Sequence, residues 1–409
     1  MKIDVRLAPP EDCDAFSRTF WTALVQPSPS PAQLEQRRPG FLSSRPFAAY
    51  EGNEIVGTAA AYPFDMVVPG GARVAAAGVT AVGVMPTHTR RGILTNLMRT
   101  QLEDAADTGQ PVAILGATES IIYGRFGYGL ASTAADITIE TDHGAFAQPF
   151  EDPGRLRLVT RAEALELFPA IFERHDRDRA GTINRAPIRW AHPRMYGPLP
   201  EGETPPPEIY LVHEDPKGKL DGALAYEILD RDSWWEKPGH IEVHDLFGSP
   251  TAYVALWRYV LGVDLVRGVK AGMRMPDEPV RWMLADPRRL EMKLVDQLWL
   301  RVLDVPVALS ARTYGRPARI VLDVADPFLG RGGRFELDAD ENGNATCKPT
   351  RRAADLEMTM ADLGAVYLGG ASFAALGAAG RVVERRANAI ARADQLFTHH
   401  PLPWCGTFF

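Results

Sequence analysis

The segment Arg73–Leu115 constrains the fold more than any other part of the chain. Arg73–Val84 has the composition of a strand, and Pro111–Leu115 is a short apolar run typical of a buried strand. Between them, Ile93–Asp107 carries apolar side chains at spacings of three and four, which predicts an amphipathic helix that ends before Gly109. Strand, helix and strand in this order predict a crossover unit within a mixed sheet.

The residues around this unit extend it into an N-terminal domain over residues 1–145. Glu11–Leu24 is predicted as a helix, and the Pro/Ser/Gln-rich stretch Gln26–Pro39 is predicted as a loop. A strand at Glu54–Tyr62 precedes a turn at Pro69–Gly71. We place the end of the domain where the chain becomes rich in Pro, Gly and acidic residues.

Two further domains follow, over residues 155–292 and 295–409. The second is predicted to contain a helix, a Pro/Gly-rich loop, two strands and a helix, namely Arg161–His175, Gly197–Pro207, Ile209–His213, Gly222–Leu229 and Ala252–Leu261. The third is predicted to contain two strands followed by two helices, namely Ala318–Val324, Gly333–Leu337, Met360–Tyr367 and Ala387–Phe397. This mixture of elements predicts an α+β protein.

Charge and composition limit the class of function. The chain has 45 Lys and Arg against 52 Asp and Glu, and this net charge of -7 argues against a nucleic-acid partner but is compatible with a cationic substrate. The first residues are too charged for a secretory signal, and the apolar stretches fall short of the roughly 20 residues that cross a bilayer. The pair His399–His400 has no third ligand at metal spacing. We therefore expect a cytoplasmic protein without a membrane span or a bound metal.

The loop between the predicted strand and helix has the features of an anion site. The first N–H groups of a helix have no partner within it, and the helix dipole adds positive charge there. Gly92 lets a ligand approach the backbone, while Arg90 and Arg91 add charge that suits a pyrophosphate. An ordinary turn with two solvated arginines is the alternative that the spacing leaves open.

This region resembles the acetyl-CoA loop of the GNAT acetyltransferase superfamily. The resemblance is carried by Val82–Val84, Pro86 and Arg90–Gly92. The superfamily loop reads Arg/Gln-x-x-Gly-x-Gly/Ala, and Thr89 and Leu94 depart from its first and last positions.

A second motif resembles a narrower family. Ala117–Gly129 is similar to the signature (Ser/Thr)-Glu-x-x-Ile-Tyr-x-Arg-Phe-Gly-Tyr-Gly of the Eis (enhanced intracellular survival) acetyltransferases. The resemblance extends through Leu256–Arg258, Ala353–Met358 and Leu363–Gly369 to the apolar carboxy terminus, and so covers nearly the whole chain.

The Eis resemblance implies two GNAT-type domains followed by a sterol-carrier-like domain. It implies an acetyl-CoA-dependent N-acetyltransferase that forms a homohexamer and acts on amines of aminoglycosides or other small polyamine-like molecules. Two alternatives stay open: a protein-lysine acetyltransferase, and a non-catalytic lipid-binding or scaffold protein with a vestigial acetyl-CoA site.

The resemblance also implies roles for individual residues. By motif match, the acetyl-CoA site comprises Val82, Gly83, Val84, Arg90, Arg91, Gly92, Ile93, Leu94, Thr95, Thr118 and Glu119. The strand residues would bind the pantetheine arm through their backbone, and the loop residues would hold the pyrophosphate. Tyr123 matches the general acid. The C-terminal carboxylate of Phe409, carried into the active site by the tail, matches the general base.

These residue types suit acetyl transfer. An amine attacks a thioester only as the neutral base, so a base has to take its proton, and the departing thiolate needs a proton from an acid. An α-carboxylate, with a reference pKa of about 3.3–3.7, is ionised at neutral pH. Tyr128 is the alternative acid and Glu119 the alternative base.

Overall fold

The computed structural model describes residues 3–175, 177–185, 190, 208–229 and 239–409. The strands among these residues are β1 (Ile3–Leu7), β2 (Arg45–Glu51), β3 (Glu54–Val67), β4 (Arg73–Val84), β5 (Val112–Leu115), β6 (Gly129–Glu140), β7 (Arg155–Val159), β8 (Ile209–Glu214), β9 (Leu220–Leu229), β10 (His240–Gly248), β11 (Gly268–Arg274), β12 (Glu291–Val302), β13 (Ala318–Ala325), β14 (Gly333–Ala339), β15 (Ala345–Pro349), β16 (Leu356–Thr359) and β17 (Val383–Glu384). The α-helices are α1 (Cys13–Ala23), α2 (Pro31–Ser43), α3 (Ile93–Asp107), α4 (Arg161–His175), α5 (Pro250–Leu261), α6 (Val280–Met283), α7 (Val305–Ala311), α8 (Met360–Tyr367), α9 (Phe373–Ala378) and α10 (Ala389–Phe397).

The chain divides into two compact units. The first comprises the residues up to Ser132 together with 297–403 and 408–409, and the second comprises 133–296 and 404–407. The expected division into three domains at 1–145, 155–292 and 295–409 stays a prediction, and position 295 lies within strand β12. The loop predicted at 197–207 lies outside the described residues.

In the first unit, one sheet has the strand order β1-β2-β3-β4-β5-β12. Strands β4 and β5 are parallel and α3 connects them, which confirms the predicted crossover. The other neighbouring pairs in this sheet are antiparallel. Helix α3 packs on the sheet through an apolar face that includes Ile93, Leu97, Met98 and Leu102.

Helix α2 corrects the loop predicted over Gln26–Pro39, which was wrong from Pro31 onward. Ser30 accepts a hydrogen bond from the backbone of Gln33, and the Gln33 side chain accepts one from the Ser30 N–H in return. This reciprocal cap satisfies two N–H groups that a helix start leaves free, and Pro31 fits at the first position. Pro39 lies inside the helix, so its presence did not end it.

A second sheet in the first unit has the order β15-β14-β13-β16-β17. Helix α8, which was predicted with its exact bounds Met360–Tyr367, is buried along its whole length. Thr359 caps it by accepting a hydrogen bond from the Asp362 N–H.

The second unit has a sheet of order β6-β11-β10-β9-β8-β7. Its parallel pair β10–β11 is connected by α5, as β4 and β5 are by α3. Helix α5 buries its own Leu256, Trp257 and Val260 in the core of this unit. In the described part of the chain, each helix is too short or too polar to traverse a lipid bilayer.

Candidate active site

Strands β4 and β5 part in the middle of the first sheet. They pair only from Ala76–Val112 to Gly78–Ile114, whereas β4 continues to Val84 along β3. A bulge accompanies the divergence: Ala81 has φ +51°, and Thr58 Oγ1 donates to its carbonyl at 2.8 Å. In the described chain, residues 79–84 therefore have a strand partner on one side only. Their other edge leaves backbone donors and acceptors for an extended ligand arm.

The N-terminus of α3 lies directly after this open edge. Gly92, with φ +75°, precedes the helix, and the first intrahelical hydrogen bond runs from Asn96 N to Gly92 O at 3.1 Å. The N–H groups of Ile93, Leu94 and Thr95 come before that bond, so the helix itself gives them no acceptor. Space beside Gly92 is open, because a Cβ there would meet no atom within 4 Å. These features fit a pyrophosphate.

The two arginines of the loop have different environments. Arg91 donates to Glu51 at 2.6 Å, and His88 Nε2 lies 3.1 Å from the other oxygen of the same carboxylate. The Arg91 and His88 hydrogen bonds lower the pKa of Glu51 to about 2. Arg90, with φ +62°, is exposed and forms no ion pair within the described ranges. Arg90 is therefore the arginine whose charge is not already neutralised by the protein.

Gly83 has a packing role that sequence reasoning missed. A Cβ at this position would lie 2.7 Å from the Cβ of Ala23 in α1. A larger residue would push α1 away from β4. The sequence signal for this packing is the series of Ala and Gly residues in β4, because small side chains permit a helix to approach the strand closely.

The 3-10 helix Ser120–Phe126 follows β5 and carries Tyr123. Thr118 and Glu119 are exposed at the start of this segment, and Tyr123 is half-buried. Burial, together with the charge of Glu119, raises the pKa of the Tyr123 hydroxyl. The hydroxyl is therefore protonated at neutral pH, which is the form that a general acid requires.

Tyr128, the alternative acid, lies in the core beneath Tyr123. Tyr128 is 1% exposed, and its ring packs edge-on against the ring of Tyr123 with centroids 6.0 Å apart. Its hydroxyl meets no hydrogen-bond partner among the residues described. Burial raises its pKa. An enclosed hydroxyl cannot reach a bound substrate without a rearrangement of the core, so the geometry favours Tyr123.

The last two residues lie where β4 and β5 part. Phe409 is 6% exposed, and its ring packs edge-on against Phe64 with centroids 5.0 Å apart. The same ring would lie 3.3 Å from a Cβ on Gly78, the last β4 residue paired with β5. The Phe408 ring would lie 3.6 Å from a Cβ on Gly116, directly after β5. The end of the tail is therefore docked rather than frayed.

Phe64 and Glu51 were not identified from the sequence. Phe64 lies on β3 two positions after Tyr62, and their ring centroids are 5.9 Å apart. The alternation of β3 predicts that the two rings share a face, but nothing local predicts that Phe409 packs there. Glu51 has no sequence signal, because its partner Arg91 is 40 positions away.

The described residues offer no group of three or more His, Cys, Asp or Glu side chains that could hold a metal ion. The donors at this site are backbone N–H groups, an arginine and a tyrosine hydroxyl, which suit a phosphorylated thioester.

Family comparisons agree with this fold. Residues 4–131 and residues 181–302 each match a family described as an acetyltransferase (GNAT) domain. Residues 305–406 match a sterol carrier protein domain. The protein is thus an α+β N-acetyltransferase with two GNAT domains and a sterol carrier domain, and its cosubstrate is acetyl-CoA.

Full-length relatives define the family further. An uncharacterized N-acetyltransferase of Streptomyces griseus is 36% identical over 420 residues, and the alignment covers 100% of this chain and 100% of that protein. The N-acetyltransferase Eis of Mycobacterium tuberculosis is 32% identical over 358 residues, which cover 85% of this chain and 84% of that protein. The crystal structure of Eis1 from Mycobacterium abscessus is 33% identical in sequence and superposes with a TM-score of 0.86. The match covers 99% of this chain and 100% of the Eis1 chain. The chain belongs to the Eis family of GNAT N-acetyltransferases.

Proposed function

We propose that this enzyme transfers the acetyl group of acetyl-CoA to a primary amine of an aminoglycoside- or polyamine-like small molecule. The observation that carries the proposal is the position of the Phe409 ring beside Gly78, where β4 and β5 part. An extended cosubstrate arm lying along the open edge of β4 directs its thioester toward that point.

The acetyl-CoA site in this proposal extends from β4 to the segment after β5. The backbone of Val82, Gly83 and Val84 binds the pantetheine arm. The loop and first helical turn, from Arg90 and Arg91 through Gly92 to Ile93, Leu94 and Thr95, hold the pyrophosphate. Thr118 and Glu119 line the same site. Because Glu51 already engages Arg91, Arg90 supplies the larger part of the side-chain charge to the phosphates.

Proton transfer in the proposal involves the tail and Tyr123. In a protein that ends at Phe409, the terminal carboxylate takes a proton from the acceptor ammonium, directly or through water, and passes it to solvent. The neutral amine then attacks the thioester carbonyl, the new C–N bond forms and the C–S bond breaks, and the carboxylate takes the second proton from the nitrogen as the neutral amide forms. Tyr123 donates its hydroxyl proton to the leaving thiolate. Its raised pKa keeps that proton available at neutral pH.

The acceptor class is tested by an acetyl-transfer screen. Purified enzyme with acetyl-CoA is offered aminoglycosides, linear diamines and lysine peptides, and release of free CoA thiol is measured. Turnover of the first two groups supports the proposal. Turnover restricted to lysine peptides favours a protein-lysine acetyltransferase.

The acid is tested by comparing Tyr123→Phe with Tyr128→Phe. We expect Tyr123→Phe to lose turnover by about 10²–10⁴-fold, the usual contribution of general acid–base catalysis, and to retain acetyl-CoA binding. Tyr128→Phe is the matched control, since it removes the neighbouring hydroxyl from the same segment. Loss of activity in the control alone would reverse the assignment.

The base is tested by extending the chain beyond Phe409. An extension replaces the terminal carboxylate by a neutral amide, and turnover should fall by about 10²-fold or more. Acetyl-CoA binding should persist. An extended protein with normal turnover would make Glu119 the leading base.

The proposal also includes the assembly and location of the enzyme. We place it in the cytoplasm as a homohexamer of three-domain chains, with the third domain delivering the tail to the active site. Light scattering on the purified protein tests the oligomeric state.

A further inference from the structure

A buried arginine contacts the segment that carries Tyr123. Arg301 of β12 is 0% exposed and donates through Nη1 to the carbonyl oxygen of Phe126, the last residue of the 3-10 helix Ser120–Phe126. A carbonyl at the end of a helix lacks an intrahelical donor, so Arg301 satisfies it. The Phe126 carbonyl is one helical turn from Tyr123, and its position fixes the end of that helix.

An aspartate from the sterol carrier domain holds this arginine. Arg301 Nη2 donates to Asp326 Oδ2 at 2.7 Å, and neither side chain has measurable exposure. Asp326 follows β13 and also accepts from the backbone N–H of Arg331 at 3.1 Å. The ion pair is therefore built into the turn at residues 326–331.

The same turn contacts α3, the helix whose N-terminus is the proposed pyrophosphate site. The Phe328 ring packs against that of Phe126 with centroids 5.0 Å apart. Arg99 of α3 donates to the Phe328 carbonyl at 2.7 Å, and its guanidinium lies 4.6 Å from the centre of the Phe328 ring. The turn thus touches both the helix that begins at the pyrophosphate site and the segment with the proposed acid.

Gly127 shows how closely the arginine fits. Its φ is +82°, and a Cβ there would lie 1.8 Å from Arg301 Nη1. Glycine at this position ends the 3-10 helix in the left-handed conformation and also leaves room for the guanidinium.

We propose that Arg301 and Asp326 are positioning residues for catalysis, by which the sterol carrier domain sets the place of the Tyr123 hydroxyl relative to bound acetyl-CoA. The inference rests on the proposed function, because it assumes that Tyr123 is the acid. It gives the third domain a role in the geometry of the first, in addition to supplying the tail.

The structure offers a matched control for this arginine. Arg312 is also buried, at 1% exposure, and also donates to the carbonyls of residues that end helices, Tyr367 in α8 and Phe397 in α10. It belongs to the same unit, but its hydrogen bonds go to residues far in sequence from the Tyr123 segment. Arg301→Lys and Arg312→Lys remove the same chemical group from equally buried positions.

The test compares steady-state rates of the two variants, each first shown to be folded and to bind acetyl-CoA. Misplacing a catalytic group by about 1 Å costs about 10²-fold in rate. We therefore expect kcat of Arg301→Lys to fall by about 10-fold to 10²-fold with KM for acetyl-CoA nearly unchanged. Arg312→Lys should keep kcat. Normal kcat in Arg301→Lys, or equal losses in both variants, would overturn the proposal.

A double variant separates this inference from the proposed function. If Arg301 acts through Tyr123, adding Arg301→Lys to Tyr123→Phe should reduce kcat no further. An additional full loss would mean that Arg301 acts by another route. An active Tyr123→Phe enzyme would refute the acid itself. Should Arg301→Lys not fold, Asp326→Asn replaces it, since the amide retains the shape and removes the charge.

Discussion

Replacing Gly364 by Ala tests whether close helix packing or helix propensity controls stability at the centre of α8. A Cβ at Gly364 would lie 2.1 Å from the backbone oxygen of Leu300 in β12. An ordinary C···O contact is about 3.3 Å or longer, so helix and strand would have to separate by about 1 Å. Strand β6 approaches the same helix as closely, because a Cβ at Gly129 would lie 1.8 Å from the backbone oxygen of Ala361.

The two effects have opposite signs. Ala is favoured over Gly inside a helix by about 1 kcal/mol. Overpacking costs about 1–3 kcal/mol, and the upper value applies because the obstacle is backbone in a sheet and not a side chain that can rotate. We expect Gly364→Ala to lower the free energy of unfolding by about 2 kcal/mol. For a unit of this size, that corresponds to a Tm decrease of about 4–8 °C.

The assay is thermal unfolding followed by circular dichroism, with Gly377→Ala as the control. A Cβ at Gly377 in α9 would lie 2.8 Å from Ile390 Cδ1, the end of a flexible side chain that can move. Its Tm should stay the same or rise. If Gly364→Ala is as stable as the control, the backbone contact does not limit the packing and the reasoning is refuted.

Three further predictions concern the loop, the tail and the second unit. Arg90→Gln should weaken acetyl-CoA by about 10-fold, the value of a charge-assisted hydrogen bond, and Arg91→Gln by less, as measured by titration calorimetry; equal losses would contradict the role of Glu51. Phe64→Leu removes the aromatic contact with Phe409, which is worth about 0.5–1.5 kcal/mol. This variant should have a lower kcat but an unchanged affinity for acetyl-CoA, and an unchanged kcat would show that catalysis does not depend on the packing of the tail. Burial alone would lower the pKa of His213, but its hydrogen bonds to Asp152 and Asp221 raise it overall, so its stabilisation is complete below about pH 6.5 and is lost as the pH rises through the folded pKa. The Tm of the unaltered protein should therefore lose the contribution of His213 between about pH 6 and pH 9, and His213→Gln should make the fall in Tm over this range smaller. An identical fall in the variant would show that His213 does not contribute to it.

Local sequence predicted the elements whose determinants are local. The bounds of α3 and α8 follow from apolar periodicity and from residues at their ends, so they were predicted correctly. Helix α2 was predicted as a loop because the stretch Gln26–Pro39 is rich in Pro, Ser and Gln, although Ser30 and Gln33 form a reciprocal cap at the start of the helix.

The candidate site likewise has some features that depend on local sequence and others that depend on contacts between distant residues. The loop around Gly92 could be predicted from the sequence because its proposed chemistry lies within one short motif. The engagement of Arg91 by Glu51, and the packing of Phe409 beside Gly78, join residues that are distant in sequence. Such contacts depend on how the strands are arranged, and one sequence does not specify which distant side chains will meet.

The two tyrosines show why burial was needed to choose between similar groups. Tyr123 and Tyr128 lie five positions apart, and both satisfy the chemical requirement for an acid. Gly127, in the left-handed conformation, ends the 3-10 helix between them, and the chain then enters β6 with Tyr128 in the core. Its ring gains about 1.5–3 kcal/mol from burial, which offsets the cost of about 1–3 kcal/mol for a hydroxyl without a partner. Tyr128 is therefore accounted for by packing alone, whereas the half-buried Tyr123 gains less from packing and remains the proposed acid.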